Sequence, residues 1–244
     1  MKGISVVDSW PARALRVLLP LRCLLCGAPG VDGRDLCDGC TADLALNRPA
    51  CPGCALPLAR PAPLCAACIK APPPFTIAWA PFRYGHPLDL LEARFKFRAD
   101  LAAGRVLSSL LLERMRLDAP TLPDAIVPIP LHRARLRARG YNQALELARP
   151  LAQALRIPLR HDLLLRARAT DAQSALDAKA RRRNVRGAFE LTVGAPLPAH
   201  VALFDDVMTT GATLREAALT LRRAGVARVD AWVLARAPLG ASAR

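Results

Sequence analysis

Val201-Ala202-Leu203-Phe204-Asp205-Asp206-Val207-Met208-Thr209-Thr210-Gly211-Ala212-Thr213 is the stretch that decides the fold. The apolar residues 201–204 predict a buried strand, and the helical periodicity after the turn predicts a helix over 212–224. Two carboxylates and a hydroxyl-rich turn lie between these elements. Because open α/β sheets bind ligands beyond the carboxyl ends of their strands, we expect a ligand site here.

The chemistry of this turn points to a phosphorylated sugar. Free backbone N–H groups at a helix start favour an anion, and Gly211 permits close approach of the backbone. The carboxylates of Asp205 and Asp206 suit sugar hydroxyls and hydrated Mg²⁺. The chain contains no Walker A motif. The ordinary alternative is an Asp-rich turn with a threonine N-cap, which the full pattern disfavours.

Outward from this stretch, the chain alternates between predicted strands and helices. We predict strands at 76–84, 124–129, 162–166, 187–193, 200–204 and 228–235, and helices at 87–97, 100–117, 141–155 and 212–224. This alternation predicts an α/β fold with a mainly parallel sheet and helices on both faces. The basic segment 167–184 lacks apolar periodicity, so we interpret it as a mobile lid or as an exposed loop.

All the cysteines fall into Cys-x-x-Cys pairs within residues 23–68, and corresponding cysteines of successive pairs are 14 residues apart. Two pairs supply the four thiolates of a tetrahedral Zn²⁺ site, so we predict about two structural zinc ions in a double zinc ribbon. A disulfide scaffold or a redox pair is the alternative. The spacing leaves open whether each repeat binds its own ion or the pairs cross. The ligands are Cys23, Cys26, Cys37, Cys40, Cys51, Cys54, Cys65 and Cys68.

The composition excludes two classes of protein. The 244 residues are 52% hydrophobic, which excludes wholesale disorder. No apolar run reaches the ~18 residues that a membrane span needs. The net charge of +15 indicates an anionic partner, or else it reflects the arginine-rich composition of chains that a GC-rich genome encodes. The N-terminus lacks the clean apolar run of a signal peptide, so we expect a cytoplasmic location.

Three parts follow along the chain. An N-terminal amphipathic helix is expected within 1–20 and the double zinc ribbon within 21–70. A larger α/β domain is expected over 75–237. The proline-rich linker 71–74 is expected to separate the ribbon core from the core of the larger domain.

Together these motifs give the chain a resemblance to a known family. The turn at 201–213 resembles the 5-phosphoribosyl 1-diphosphate (PRPP) motif of type I phosphoribosyltransferases, and the whole chain resembles the ComF family. Further stretches that carry the resemblance are Phe95-Lys96-Phe97-Arg98, Val127-Pro128-Ile129-Pro130-Leu131, Arg139-Gly140-Tyr141-Asn142-Gln143, Gln173, and Arg181 to Phe189. The loop after Thr170 departs from the family pattern, because Asp171-Ala172 replaces proline-rich spacing.

The resemblance implies a role for each part of the site. Asp205 and Asp206 would contact the ribose hydroxyls, directly or through Mg²⁺, as the catalytic pair. Pro130, Leu131, Arg139 and Lys96 would approach the pyrophosphate. The 5-phosphate would be held by Thr209, Thr210, Gly211, Ala212 and Thr213.

Three functions fit this pattern. In the first, the chain would transfer 5-phosphoribosyl from PRPP to an unidentified nitrogen acceptor, and the resemblance implies an association with competence for DNA uptake. Alternatively, it is a non-catalytic module that binds a nucleotide and single-stranded DNA. In the third interpretation the ribbons dock a partner protein, such as a helicase of the uptake machinery. A scarcity of aromatic residues, only 5%, argues against stacking on single-stranded DNA.

Overall fold

A parallel sheet forms the centre of the fold in the computed structural model, which describes residues 20–118, 120–168 and 185–238. The strands are β1 (Ala78–Trp79), β2 (Phe82–Arg83), β3 (Ala125–Pro128), β4 (Leu164–Arg166), β5 (Phe189–Leu191), β6 (His200–Met208) and β7 (Arg228–Arg236). The helices are α1 (Asp38–Ala42), α2 (Ala66–Lys70), α3 (Leu88–Arg98), α4 (Leu101–Asp118), α5 (Arg133–Arg139), α6 (Gln143–Leu155) and α7 (Ala212–Arg223).

The sheet order is β1 and β2 beside β7, then β6, then β3, and every pairing is parallel. The predicted mainly parallel α/β sheet is therefore confirmed. The strand predicted at 76–84 is split into β1 and β2 around Pro81, at the edge of the sheet where a missing N–H is tolerated.

Both faces of the sheet are covered by helices, as predicted. Along β6, Phe204 packs in one core with α3, α4 and α6, whereas Leu203 packs in a second core with α7. This alternation follows from the period of two residues along a strand. Both side chains are fully buried. The two-sided burial explains why β6 has a continuous apolar run rather than an alternating pattern.

Three further features of the secondary structure differ from the sequence analysis. The strand predicted over 200–204 continues to Met208, because β7 pairs alongside it as far as Arg236. The strands predicted at 162–166 and 187–193 become β4 and β5, which form a separate antiparallel pair rather than part of the parallel sheet. Helix α5 was not predicted, because Leu136 is the only large apolar residue in its sequence.

The first ribbon packs into the core of the larger domain. Cys23, Leu36 and Leu44 belong to the same cluster of buried residues as Leu91 and Phe95 of α3. The expectation that the linker at 71–74 separates two cores is therefore wrong for the described residues. The domain boundaries at 21–70 and 75–237 stay a prediction.

Two other predictions concern residues outside the described ranges. The N-terminal amphipathic helix is predicted within 1–20, of which the structure describes only residue 20, and nearly all of the predicted lid at 167–184 falls within residues 169–184. In the part of the chain that the structure describes, no helix is long and apolar enough to cross a membrane.

Candidate functional site

The cysteines gather into two clusters, one for each repeat. The sulfurs of Cys23, Cys26, Cys37 and Cys40 lie within 4.8 Å of one another, and so do those of the second repeat, Cys51, Cys54, Cys65 and Cys68. Each repeat therefore forms its own cluster, which excludes the alternative in which pairs from different repeats share an ion. The Sγ atoms of Cys26 and Cys37 are 3.6 Å apart. A tetrahedral zinc with Zn–S bonds of about 2.3 Å places its sulfurs about 3.8 Å apart, so the clusters fit zinc.

The electrostatics of the clusters also favour a cation. Burial opposes ionisation of Cys23 and Cys65, but backbone N–H groups donate to their sulfurs and lower the pKa to about 6 and about 7. Burial and neighbouring sulfurs raise the pKa of Cys40 and Cys68. Each cluster therefore forms one thiolate readily, and a metal ion is needed to hold four. The two Cys₄ sites fit about two structural zinc ions.

The carboxylate pair lies at the carboxyl end of β6. Asp205 and Asp206 are within the strand rather than after it. Burial and the charge of Asp206 raise the pKa of Asp205 well above its usual value. Burial also opposes ionisation of Asp206, but the Lys96 ammonium and the Val207 amide lower its pKa. Carboxyls placed this close favour one negative charge and one proton, or a bound cation.

A salt-bridge cluster from α3 reaches this pair. The Lys96 Nζ atom lies 3.1 Å from Glu92 Oε1 and 3.5 Å from Asp206 Oδ2. The Glu92 side chain is only 4% exposed. Burial, followed by the charge of Asp206, raises its pKa to about 7. Asp206 raises the pKa of Lys96, so the ammonium stays charged. Glu92 was missed by the sequence analysis, although its i,i+4 spacing to Lys96 gives a hint.

The turn after β6 has the geometry that the sequence predicts. Residues 209–211 form a bend, and Gly211 is the N-cap of α7 with φ of +73°. That conformation is costly for residues with a side chain. A Cβ at this position would lie 3.6 Å from Met208 Sδ, an ordinary contact. Toward the protein's own atoms, the requirement for glycine is therefore one of backbone conformation rather than space.

The opposite wall comes from the turn after β3 and the start of α6. The side-chain amide of Asn142 donates to the Ile129 carbonyl at 3.0 Å, which ties this turn to the helix. Leu131 lines the cavity, whereas Pro130 is not among the lining residues. Arg139 donates to Gln143 Oε1 at 2.6 Å. Its guanidinium also lies 5.9 Å from the centroid of the Phe97 ring.

These walls enclose one cavity of about 280 Å³. The cavity brings together Lys96, Leu131, Arg139, the carboxylate pair and the whole turn 209–213. Sequence analysis missed several lining residues, namely Tyr84, Glu92, Arg135 and Arg166, and it gave Phe97 no place in the site. These come from α3, α5, β4 and the loop after β2, whose approach depends on tertiary packing. Burial lowers the pKa of Arg135 and of Arg166, yet both keep a cationic side chain beside the cavity.

The parallel α/β domain, its strand-end carboxylates and the two Cys₄ clusters define a zinc-ribbon protein with an attached α/β domain. A double zinc ribbon domain model matches residues 14–69. The chain is 35% identical over 224 residues to the DNA utilization protein YhgH of Escherichia coli O157:H7, covering 89% of this chain and 98% of that protein. It therefore belongs to the ComF family, whose members are competence and DNA-utilisation proteins.

Two further relatives match over part of the chain. Competence protein F of Haemophilus influenzae is 42% identical over 160 residues, which cover 63% of this chain and 70% of that protein. Competence protein ComFC of Bacillus subtilis is 30% identical over 156 residues, which cover 64% of this chain and 62% of that protein.

Proposed function

We propose that the α/β domain is phosphoribosyltransferase-like. It binds PRPP with Mg²⁺ and transfers the 5-phosphoribosyl group to a nitrogen acceptor, in a protein of DNA uptake or utilisation. One observation carries this proposal. A carboxylate pair near the carboxyl end of β6 and the positive-φ glycine turn that follows this strand at a helix start line the same cavity of about 280 Å³. A cavity of about this volume can bury much of the surface of a phosphorylated sugar, which a flat surface cannot do.

The turn 209–213 is proposed to hold the 5-phosphate. Ala212 begins α7, and the first N–H groups of a helix precede the carbonyls that the helix itself could offer them. The Ala212 N–H donates to Thr210 Oγ1 at 3.3 Å, and the N–H of Arg215 donates to the Gly211 carbonyl at 2.9 Å. The positive helix end adds an electrostatic preference for an anion. Thr209, Thr210 and Thr213 add hydroxyl donors along the same cavity wall.

The carboxylate pair is proposed to hold the ribose hydroxyls. Carboxylate oxygens are the ligands that hydrated Mg²⁺ prefers, and Asp205 and Asp206 are the candidates. The bound ion would neutralise charge on the diphosphate. Lys96 keeps Asp206 oriented through the contact at 3.5 Å. Glu92 in turn contacts Lys96 at 3.1 Å, so the ammonium is held from both sides.

The cationic wall is proposed to face the diphosphate. Arg135 lies within α5 and Arg139 is its last residue, and both line the cavity together with Leu131. As the bond between ribose C1 and the diphosphate breaks, negative charge accumulates on the leaving group. Guanidinium groups fixed beforehand in the cavity stabilise that charge without reorganisation.

Calorimetry with PRPP, in the presence and absence of Mg²⁺, tests this function. We expect binding that Mg²⁺ strengthens. Failure of the parent protein to bind PRPP in either condition would remove the phosphoribosyltransferase-like assignment. Binding without release of diphosphate for any nitrogen base tried would favour the non-catalytic module.

Asp206→Asn is expected to weaken Mg²⁺-dependent PRPP binding by about tenfold or more, because a neutral amide is a poorer ligand for the ion. Binding in the absence of Mg²⁺ should change less. The matched control is Asp162→Asn, which makes the same charge change at a 53% exposed side chain outside the cavity. Equal losses in the two variants would show that the effect comes from net charge rather than from the site.

We propose a second candidate function, binding of single-stranded DNA, because α5 carries a basic face beside the cavity. Its sequence, RARLRAR, places an arginine at every second position. Arg133 and Arg137 are exposed, whereas Arg135 and Arg139 line the cavity. The surface of α5 therefore continues the cationic wall outward. The names of the relatives, which refer to DNA utilisation and competence, support this candidate.

The double variant Arg133→Gln, Arg137→Gln is expected to reduce the salt dependence of single-stranded DNA binding. Each phosphate contact contributes roughly 0.7 to the slope of log K against log[salt], so the slope should fall by about 1.4. Fluorescence anisotropy with a labelled oligonucleotide at several salt concentrations measures this slope. Arg105→Gln, Arg223→Gln is the control, since both residues are exposed and neither lines the cavity. The same slope in both double variants would rule out α5 as the DNA surface.

A helicase partner for the ribbons and a cytoplasmic location stay predictions.

A further inference from the structure

A buried arginine links the second cysteine cluster to the phosphate turn. Arg236, the last residue of β7, is 3% exposed. Its Nε donates to the Cys54 carbonyl at 3.0 Å. Its Nη1 donates to the Met208 carbonyl at 2.9 Å and also to the carbonyl of Thr209. One guanidinium therefore bridges a metal-ligand residue and the first residue of the turn.

The Cys54 carbonyl belongs to a tight turn whose shape depends on the cluster. The Cys54 N–H donates to the Cys51 carbonyl at 3.3 Å, and the N–H of Ala55 donates to the same carbonyl at 2.7 Å. The Cys54 sulfur lies 3.6 Å from that of Cys65. A metal ion that draws these sulfurs together would fix the turn, and with it the carbonyl that Arg236 contacts.

Charge adds a second link between Arg236 and the cluster. A Zn²⁺ ion bound by four thiolates carries net negative charge, which compensates a buried guanidinium nearby. The described hydrogen-bond partners of Arg236 are neutral carbonyls.

The other end of the phosphate turn is also tied to the second ribbon. Arg215, in the first turn of α7, donates to the Ala71 carbonyl at 3.2 Å and to the Pro72 carbonyl at 3.4 Å. Both acceptors directly follow helix α2 of the second ribbon. The first ribbon is held elsewhere, since Arg94 of α3 donates to the Leu24 carbonyl at 2.6 Å.

We propose that Arg236 is a positioning residue through which the metal state of the second cluster controls phosphate binding. Metal in the second cluster would fix the position of the Cys54 carbonyl. Arg236, which donates to this carbonyl and to those of Met208 and Thr209, would then hold the start of the turn in the conformation that directs its N–H groups toward the ligand. Among the described residues, no side chain bridges the first cluster to the turn 209–213 in this way, and the first ribbon contacts α3 instead. This inference rests on the proposed function, because it assumes that the turn 209–213 binds the ligand phosphate.

Linkage provides the test, because coupling between two sites is reciprocal. Ribose 5-phosphate is the probe, and the full-length zinc-loaded protein is used. A zinc chelator and an alkylating reagent are added together, and mass spectrometry follows the alkylation rate of each cysteine. We expect saturating ribose 5-phosphate to slow alkylation of Cys51, Cys54, Cys65 and Cys68 by about tenfold, a typical coupling. The cysteines of the first cluster, which reach the site only through the packing against α3, should be slowed much less.

Arg236→Lys should abolish this protection, because an ammonium cannot reach both sets of carbonyls as the guanidinium fork does. The same variant should bind ribose 5-phosphate about tenfold more weakly while keeping both zinc ions by elemental analysis. Arg94→Lys is the matched control, since it alters an arginine that contacts the first ribbon, and protection should persist.

The outcomes separate the inference from the function on which it rests. Failure of the parent to bind ribose 5-phosphate by calorimetry would overturn the proposed function and this inference with it. A parent that binds, yet shows equal protection of both clusters or none, would overturn the inference alone. Protection that persists in Arg236→Lys would do the same. The alkylation rates of the two clusters are compared in the parent protein itself, so the test remains decisive even if Arg236→Lys misfolds.

Discussion

Valine at position 211 is expected to reduce PRPP binding by about 30-fold or more, with or without Mg²⁺. Gly211 has φ of +73° at the N-cap of α7. A β-branched residue in this region costs about 2 kcal/mol, which corresponds to about 30-fold if the turn changes shape to relieve it. The effect is conformational, because a Cβ here would meet Met208 Sδ at 3.6 Å and would not clash. Isothermal titration calorimetry measures the loss.

The other end of the same helix supplies the control for this variant. Gly225 follows α7 with φ of +102°, and a Cβ there would meet no atom within 4 Å. Gly225→Val should therefore destabilise the protein by a similar amount while leaving PRPP binding intact. Comparable loss of binding in both variants would attribute the effect of Gly211→Val to helix stability and would remove the turn from the proposed site.

The comparison of Gly211→Val with Asp206→Asn separates two parts of ligand recognition. The glycine variant acts on the phosphate turn, so its effect should not depend on Mg²⁺. The aspartate variant acts on the proposed metal and ribose contacts, so its effect should depend on Mg²⁺. Identical behaviour of the two variants would indicate a single rigid unit rather than two separate recognition elements.

The part of the site that the sequence predicts is the part that is local in the chain. Strand β6, the turn and helix α7 follow one another, and the pattern of residues 201–213 contains the information for all three. The same holds for each cysteine cluster, whose ligands come from a single repeat. The end of β6 differs from the prediction, because its length depends on pairing with β7.

The missed residues depend on distant parts of the chain. Glu92 lies on α3, where a carboxylate on a helix is usually solvated, and only packing buries it beside Lys96. Arg236 lies 182 residues from its partner Cys54. Helix α5 lacks an apolar stripe and is instead defined by its ends, His132 as N-cap and Gly140 with φ of +85°. Arginine, alanine and leucine favour helices, so propensity rather than periodicity was the overlooked signal.

Loss of the first metal site is expected to destabilise the whole described α/β core rather than the ribbon alone. Cys26→Ser should retain about one zinc ion per chain, against about two in the parent, by elemental analysis. The first ribbon contributes Cys23, Leu36 and Leu44 to the core that α3, α4 and α6 share. Structural zinc supplies much of the folding free energy of such a ribbon. We expect a loss of about 5 kcal/mol or more, roughly 10–20 °C in Tm, in one calorimetric transition.

Loss of metal from the second cysteine cluster is expected to affect stability differently. Cys51, Cys65 and Cys68 form a small cluster of their own, and among the described residues 51–68 only Ala55 belongs to a core of the sheet. Cys68→Ser should therefore also lose one zinc ion but lower the Tm of the main transition much less, while it weakens ribose 5-phosphate binding. If Cys26→Ser instead kept the main transition at the parent's temperature, the first ribbon would be an independent folding unit. The contacts of Leu36 with the α/β core would then contribute little to its stability, and the linker at 71–74 would mark the folding boundary that the sequence predicts.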